Sequence, residues 1–487
     1  MKIQSIMPYS VSNMNSKQSF KGLESMDDVN EANVVVNGGS GRIGKTFVRE
    51  YLAGHFLPKG INNSWDAYNR VYGNLNLVAI NLGSFGLKLK EGKNIKDVPL
   101  ESIENLYRND SVMGKLPDAI RLEAIRNEEG TFLQVESQFG KPELIKLVAT
   151  HDNLDYSDVN AEILLDATGK KTNRAELLAL KNATPNAQFA LLSAPAKEKD
   201  KSVKEMPTVV SGVNDNAIKN IREEGIGSAA SCTTTCISPV IKLLNDEFGV
   251  VNGFINTVHA GTLTQKLADK QLHTSDSKDR ASFNSIIPTT TGAAKAVGKV
   301  LPELNGKLDG QADRVPTTDG SLAVIDLTLS KPTTKDEVLE MFQKAAKDPA
   351  YRDLIAIADK GSSSVDVIGR HESAMIVPES IKVIGGNRVI VKAYYDNEAG
   401  YTRSYASLAS KLANTVIERK GGDPYGSGAE HRGNSISNVE TEVVLPFPGQ
   451  SVEKTPAVKP EKDDTNYGEP GADPRDFDPD RLQRIDD

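Results

Sequence analysis

The chain has 487 residues, 38% of them hydrophobic and 25% charged, with a formal net charge of −8. That length exceeds one ordinary core and predicts two folded domains plus unpacked length, while the composition excludes a membrane-like balance. No apolar run approaches the roughly 18 to 20 residues that cross a bilayer, and Met1 to Asn15 lacks the apolar stretch of a secretion signal, so the expected address is cytoplasmic, with no membrane partner.

Residues 1–31 are polar without a sustained period and read as a flexible arm. Order is predicted to begin with the β-branched strand Asn33 to Asn37, followed by a glycine cluster and a helix on which Ile43, Phe47, Val48 and Leu52 recur at helical spacing. An inserted polar and aromatic stretch, 54–73, separates that helix from a second strand, Leu75 to Asn81. Further short strands at Glu162 to Asp166 and Gln188 to Leu192 flank a helix at Asn173 to Lys181. Strands alternating with helices imply a mostly parallel sheet covered on both faces.

From Gly253 the pattern changes to longer strands, FINTVHA, SLAVIDLTLS and RVIVKAYY, with helices at Gly292 to Val300 and Lys335 to Lys347. This predicts a second, α+β domain with a largely antiparallel sheet. The amphipathic segment after Gly400 is expected to return to the first domain. The segment 421–487 carries fifteen Asp or Glu against seven Lys or Arg, and eight prolines. It therefore holds the whole acidic excess and is expected to stay disordered. The near-neutral body offers no global basic field, so no nucleic-acid partner is expected. The predicted divisions are 1–31 (arm), 32–230 (first domain), 231–396 (second domain), 397–420 (returning helix) and 421–487 (tail).

Gly39-Ser40-Gly41-Arg42-Ile43-Gly44 fits G-x-G-x-x-G between a strand and a helix. In that setting the glycines allow a tight turn, a close approach of backbone to a pyrophosphate and close helix packing. Backbone N–H groups then meet phosphate at the helix N-terminus. A glycine-rich turn alone is common; its placement favours a Rossmann-type dinucleotide site. The second strand, however, ends Asn81-Leu82-Gly83-Ser84, without the acid that ordinarily accepts hydrogen bonds from the adenosine ribose.

Only two cysteines occur, Cys232 and Cys236, which excludes a disulfide framework. Their spacing places both on one helical face, and no second Cys/His cluster completes a metal site. Ser231 is a candidate N-cap for a helix running to Phe248. Cys232 would then stand at the positive end of the dipole, where a thiolate is favoured, whereas Cys236 reads as a buried core residue. His259 lies in the strand-like run Asn256 to Ala260, where a histidine is more often structural than catalytic.

The run ASCTTTC is similar to the nucleophile motif ASCTTNC of the phosphorylating glyceraldehyde-3-phosphate dehydrogenases, and TVHAGTLTQK resembles that family's TVHAYTATQK. RASFNSIIPTTTGAAKAVGKVLPELNGKL, DRVPTTDGSLAVIDLT and YYDNEAGYT match further signatures in the same order. The resemblance spans about Val34 to Ala413. It implies that Cys232 is the nucleophile and His259 its base. Ser231, Thr233, Thr291 and Gly292 would take attacking phosphate, with Arg280 beside them, and Thr262, Thr264 and Arg314 would take the substrate's own phosphate. Gly39, Gly41, Arg42 and Ile43 would form the pyrophosphate turn, Leu82 and Thr168 would adjoin the cofactor, and Asn397 would hold its carboxamide. The resemblance further implies NAD or NADP as cofactor, a phosphorylated aldehyde and inorganic phosphate as substrates, and a homotetramer.

Several positions depart from the family pattern: Gly38, Leu82, Thr235, Gly261 and Ala399 replace its Asn, acid, Asn, Tyr and aromatic residue. Two competing readings share the Cys and His. One is an erythrose-4-phosphate dehydrogenase, and the other a retired enzyme persisting as a binding protein.

Overall fold

The computed structural model describes residues 29–56, 71–83, 94–137, 140–150, 156, 158–262, 264–269 and 277–424. Most of the arm, much of the 54–73 insertion, Ser84 and most of the tail lie outside these residues.

Strand β1 (Ala32–Asn37) is buried at every position, as its run of valines requires for a central strand covered on both faces. It pairs in parallel with β2 (Leu75–Asn81) on one side and β8 (Ile163–Asp166) on the other. A two-strand ladder, β3 (Asn109–Asp110) with β4 (Gly114–Lys115), stands apart. With β5 (Arg121–Arg126), β6 (Thr131–Ser137), β7 (Gly140–Val148), β9 (Phe189–Leu192) and β10 (Ile226–Ser228), the main sheet runs β10-β9-β8-β1-β2-β7-β6-β5. Pairing is parallel from β10 to β7 and antiparallel from β7 to β5. Sequence patterning anticipated the parallel part alone. In β5, alternate residues are buried and exposed, the signature of an edge hairpin with one solvated face.

The second sheet contains β11 (Val250–Ala260), β12 (Ile287–Thr290), β13 (Leu308–Val315), β14 (Ser321–Leu329), β15 (Ile355–Ile357), β16 (Ala374–Ile376), β17 (Lys382–Ile384) and β18 (Arg388–Tyr395). Its order is β12-β13-β11-β14-β18-β16-β15, with β17 also on β18. Only the β11–β13 and β15–β16 pairs are parallel, so the sheet is largely antiparallel, as expected. One face packs Ile255, Ala323, Ile325, Leu327, Val389 and Val391 against the helix Cys232–Phe248 and its neighbours.

The helix Ala399–Arg419 closes the fold by returning to the first sheet. Tyr405, Leu408, Leu412 and Val416 join that sheet's core. Lys420 Nζ beyond it donates to the Glu31 carbonyl at 2.6 Å and pairs with Glu162 at 3.0 Å. Asn397 and Glu398, which precede the helix, bond to both parts of the fold: Ser321 Oγ donates to Asn397 Oδ1 at 2.8 Å and Arg42 Nε to Glu398 at 2.7 Å. Among the described residues no helix is long and apolar enough to cross a membrane.

Candidate active site

The carboxyl ends of β1, β2 and β8 open onto a cavity of about 1400 Å³ that reaches Cys232 and His259. A single small-molecule site occupies roughly 300 to 1,000 Å³, so this cavity has room for a dinucleotide and a further substrate. Such a crevice outside strand ends is where open α/β sheets bind ligands.

The glycine turn forms one end. Gly38 has φ +91°, a backbone that L side chains rarely adopt, and a Cβ on Gly44 would overlap the Gly38 carbonyl oxygen. The third glycine of the motif thus lets the helix Arg42–Phe56 start against the turn. Gly41, Arg42 and Ile43 line the cavity, where the first turn of a helix leaves N–H groups without intrahelical partners. This cradle fits a pyrophosphate. Gly39 lies beneath it instead, its N–H donating to Asn81 O at 2.8 Å. The Arg42 side chain is engaged within the protein: Nη1 donates to Asp110 at 2.8 Å, while Nε donates to Glu398 at 2.7 Å.

Leu82 is buried and lines the cavity, its carbonyl accepting from Ser40 Oγ at 2.5 Å. A polar row beside it was not anticipated. Asn81 Nδ2 donates to Asn37 Oδ1 (2.8 Å), Asn37 Nδ2 to Asp166 (2.7 Å), and Thr168 Oγ1 to the same carboxylate (3.0 Å). It ties the ends of the three central strands together under the site. Burial raises Asp166 to about 6, against these hydrogen bonds. Thr168 lines the cavity, as do Lys170 and Lys171, which sequence reasoning had also passed over.

At the other end Ser231 caps the helix Cys232–Phe248, its Oγ accepting from Thr234 N at 3.2 Å. Ala230 before it holds φ +59°, a strained conformation for a residue with a side chain, and turns the chain so that the helix begins at Cys232. Cys232 Sγ lies 3.4 Å from His259 Nε2. His259 stands on β11 with its ring edge-on to Tyr395 at 5.9 Å. Tyr395 OH is shared with Thr233 Oγ1 (2.9 Å) and Thr257 Oγ1 (2.7 Å), a hydroxyl network that supports the pair from behind.

The electrostatics correct one expectation. Cys232 keeps part of its surface on the cavity, yet the protein packed behind it pushes the thiol above its ordinary value. The positive charge of Arg314 and hydrogen bonds from Thr233 act the other way without prevailing. The helix terminus alone therefore does not make this a low-pKa thiol. Cys236, fully buried, is raised further. Burial, seconded by Arg314, lowers His259 to about 4, so its imidazole is neutral near neutral pH and able to accept a proton.

Thr262, Thr264 and Asn397 complete the predicted residues on the cavity wall. Thr262 Oγ1 is 3.0 Å from Thr264 Oγ1, and Asn397 Oδ1 accepts from Ser321 Oγ at 2.8 Å. Arg314 stands behind the wall against His259, with Nη1 2.6 Å from Nδ1. Thr233, Arg280, Thr291 and Gly292 do not line the cavity. Thr233 is one residue along the helix from Cys232, a rotation of about 100°, which turns its hydroxyl inward to Tyr395. Arg280 is exposed and pairs with Asp269 at 3.3 Å. Thr291 and Gly292 follow edge strand β12, where Thr291 Oγ1 accepts from Ala293 N at 3.2 Å and Gly292 caps the helix Ala293–Val300. Among the described residues no cluster of His, Cys, Asp and Glu could hold a metal.

Residues 231–397 match the family model for the glyceraldehyde 3-phosphate dehydrogenase C-terminal domain. The chain is 37% identical over 390 residues to glyceraldehyde-3-phosphate dehydrogenase 2 of Staphylococcus aureus strain Mu50, covering 80% of this chain and 98% of that protein. It is 37% identical over 312 residues to glyceraldehyde-3-phosphate dehydrogenase of Geobacillus stearothermophilus, covering 64% of this chain and 87% of that one.

Proposed function

The chain belongs to the glyceraldehyde-3-phosphate dehydrogenase family, and on that premise we propose that Cys232 is its nucleophile and His259 its base. The protein oxidises glyceraldehyde 3-phosphate to an acyl phosphate, consuming inorganic phosphate and reducing a nicotinamide dinucleotide. The observation that carries the assignment is the 3.4 Å approach of Cys232 Sγ to His259 Nε2 at the end of a cavity that begins at a glycine turn.

With Nδ1–H donating to the Ala260 carbonyl at 2.8 Å, the Nε2 lone pair of His259 faces Cys232. His259 takes the thiol proton as sulfur bonds to the aldehyde carbon and passes it to the carbonyl oxygen, giving a hemithioacetal on Cys232. It next removes the hydroxyl proton while hydride leaves that carbon. A bound nicotinamide supplies hydride acceptance. Phosphate oxygen attacks the resulting thioester, the carbon–sulfur bond breaks, and acyl phosphate departs. Ser231, Thr262 and Thr264 on the cavity wall supply hydroxyls suited to phosphate oxygens, and the Arg314 guanidinium behind the wall adds positive charge. Assay of purified protein with the aldehyde, phosphate and each cofactor tests the reaction: turnover without phosphate, or none with it, contradicts the reading.

For the cofactor we propose that NADP is accepted comparably to or better than NAD. Leu82 neither accepts hydrogen bonds from ribose hydroxyls nor repels a 2′-phosphate, and Lys170 and Lys171 on the same cavity supply cations for that group. A hydrogen bond to a charged group contributes roughly 1.5 to 3 kcal/mol, about ten- to hundredfold in discrimination. Leu82→Asp is accordingly expected to move the kcat/KM ratio toward NAD by about that factor. The ratio is read within one protein, so any loss of folded material cancels. A natural preference for NAD above about a thousandfold would exceed what this site is expected to set and would end the idea, as would an unmoved ratio.

We also propose a cytoplasmic homotetramer. The second sheet packs its helices on one face, and the other presents Phe254, Val258, Val324 and Ile390 only partly covered. A sheet face of this kind suits a second copy of the chain. Light scattering is expected to give four chain masses, and a single chain mass would contradict it.

A further inference from the structure

Asn397 is held at the cavity wall from a single turn. Asp319 lies between β13 and β14, and Ser321 opens β14. Asn397 N donates to Asp319 Oδ1 at 3.2 Å, while Ser321 Oγ donates to Asn397 Oδ1 at 2.8 Å. Thr317 and Thr318 of the same turn line the cavity. Asp319 is 2% exposed, and its carboxyl lies against that of Asp396, which is equally buried. Two carboxylates only accept hydrogen bonds, so this contact requires a proton shared by the pair. The backbone decides which partner carries it. Asp396 Oδ2 accepts from Gly369 N at 2.6 Å, and its Oδ1 accepts from Glu398 N and Ala399 N, both at 2.7 Å. With donors on both oxygens, Asp396 suits the charged form. Asp319 Oδ1 accepts from Gly320 N at 2.7 Å as well as from Asn397 N, whereas no protein donor reaches Oδ2 among the described residues. The proton therefore belongs on Asp319 Oδ2, which donates it to Asp396.

We propose that Asp319 is a positioning residue that works as a neutral carboxylic acid, its proton bonding Asp396 and thereby fixing Asn397 where the nicotinamide end of the cofactor binds. Without that proton two like charges would touch inside the fold and push the turn carrying Asp319 and Ser321 away from the start of the helix Ala399–Arg419. Burial, seconded by the charges of Asp396 and Glu398, holds the proton on the pair up to about 9. The bridge is therefore complete below that value and is lost as pH rises through it, the proton leaving to water. Other charged and titratable groups face the pair. Cys232, at the start of its helix, faces Asp319, and Glu50 on the helix Arg42–Phe56 faces Asp396 and Arg403, while Arg42 offsets the charge of Glu398. The inference rests on Asn397 meeting the nicotinamide.

Calorimetric dissociation constants of NAD and NADP test this on the natural protein, over the pH range in which circular dichroism shows the fold intact. They are expected to stay level through neutrality and to rise by about five- to tenfold, the lower range of coupling between linked sites, above about 9. Asp319→Asn replaces the acid by an amide whose N–H donates to Asp396 at every pH, so the alkaline loss is expected to vanish. That variant keeps Cys232 and Glu50, and a loss that persists in it belongs to another group and overturns the proposal. A level profile in the natural protein overturns it as well and needs no variant. Infrared difference spectra read the proton itself: the natural protein is expected to show a protonated-carboxyl band that Asp319→Asn lacks and that fades above about 9, and its absence near neutral pH is a third contrary result. Asn397→Ala separates the proposal from the reading beneath it. Affinity unmoved by that change removes the nicotinamide contact, whereas affinity lost with it, beside a level alkaline profile, removes the shared proton alone.

Discussion

Cys232→Ser lowers turnover by on the order of 10⁴-fold or more, while Cys236→Ser leaves it within a few-fold per folded molecule. The two cysteines share a helix face and differ by one turn. Cys232 is on the cavity wall 3.4 Å from His259, whereas Cys236 is fully buried in the second core. A serine oxygen at 232 is a far weaker nucleophile and would leave an ester in place of a thioester. At 236 the change puts a hydroxyl into an apolar site and costs roughly 1 to 3 kcal/mol of stability, so activity must be normalised to folded protein. Steady-state assay of both variants decides the matter. Equal losses at the two positions, or substantial activity in Cys232→Ser, would place the nucleophile elsewhere.

His259→Asn is expected to cost about 10²- to 10⁴-fold in kcat/KM, the range a positioned general base contributes. Asparagine keeps a polar group of similar reach but accepts no proton at Nε2. The pH profile supplies an independent reading. Because burial and Arg314 lower His259 from 6.5 to about 4, the ring is neutral at every pH above that value and becomes protonated, and useless as a base, only below it. The acid limb of kcat/KM, which reports the free enzyme, should therefore fall below the ordinary imidazole range and toward 4, and should be absent in the variant. A limb at or above 6.5, or one that persists in His259→Asn, would belong to another group.

Features that depend on neighbours in the chain were legible in the sequence. Ser231 before Cys232 announces a helix start, and the structure begins the helix there with the Ser231 cap in place. The valines of Asn33 to Asn37 announce a central strand, and the glycine spacing announces a turn whose third glycine the helix needs. What was hidden depends on pairing between distant segments. The contact between Arg314 and His259 exists because β13 lies parallel to β11, and nothing near either residue encodes that register. Arg42 meets Glu398 across 356 positions, and the row Asn81–Asn37–Asp166 draws on three strands. Thr233 shows the same dependence: the family motif implies a place for it at the phosphate site, and the helical rotation that turns its hydroxyl to Tyr395 is visible only in the fold. The thiol expectation failed for a related reason. A helix terminus is visible in sequence, whereas the packing behind Cys232 that raises it is not.

The most direct test of a covalent route through Cys232 is a single-turnover experiment without phosphate. Mixing the protein with glyceraldehyde 3-phosphate and oxidised cofactor should give a burst of reduced nicotinamide of about one per subunit, after which turnover stalls with an acyl group on the peptide carrying Cys232. Adding phosphate should release the acyl group and restart the reaction. Absence of the burst, acylation mapping to any other residue, or steady turnover before phosphate is added would contradict the account.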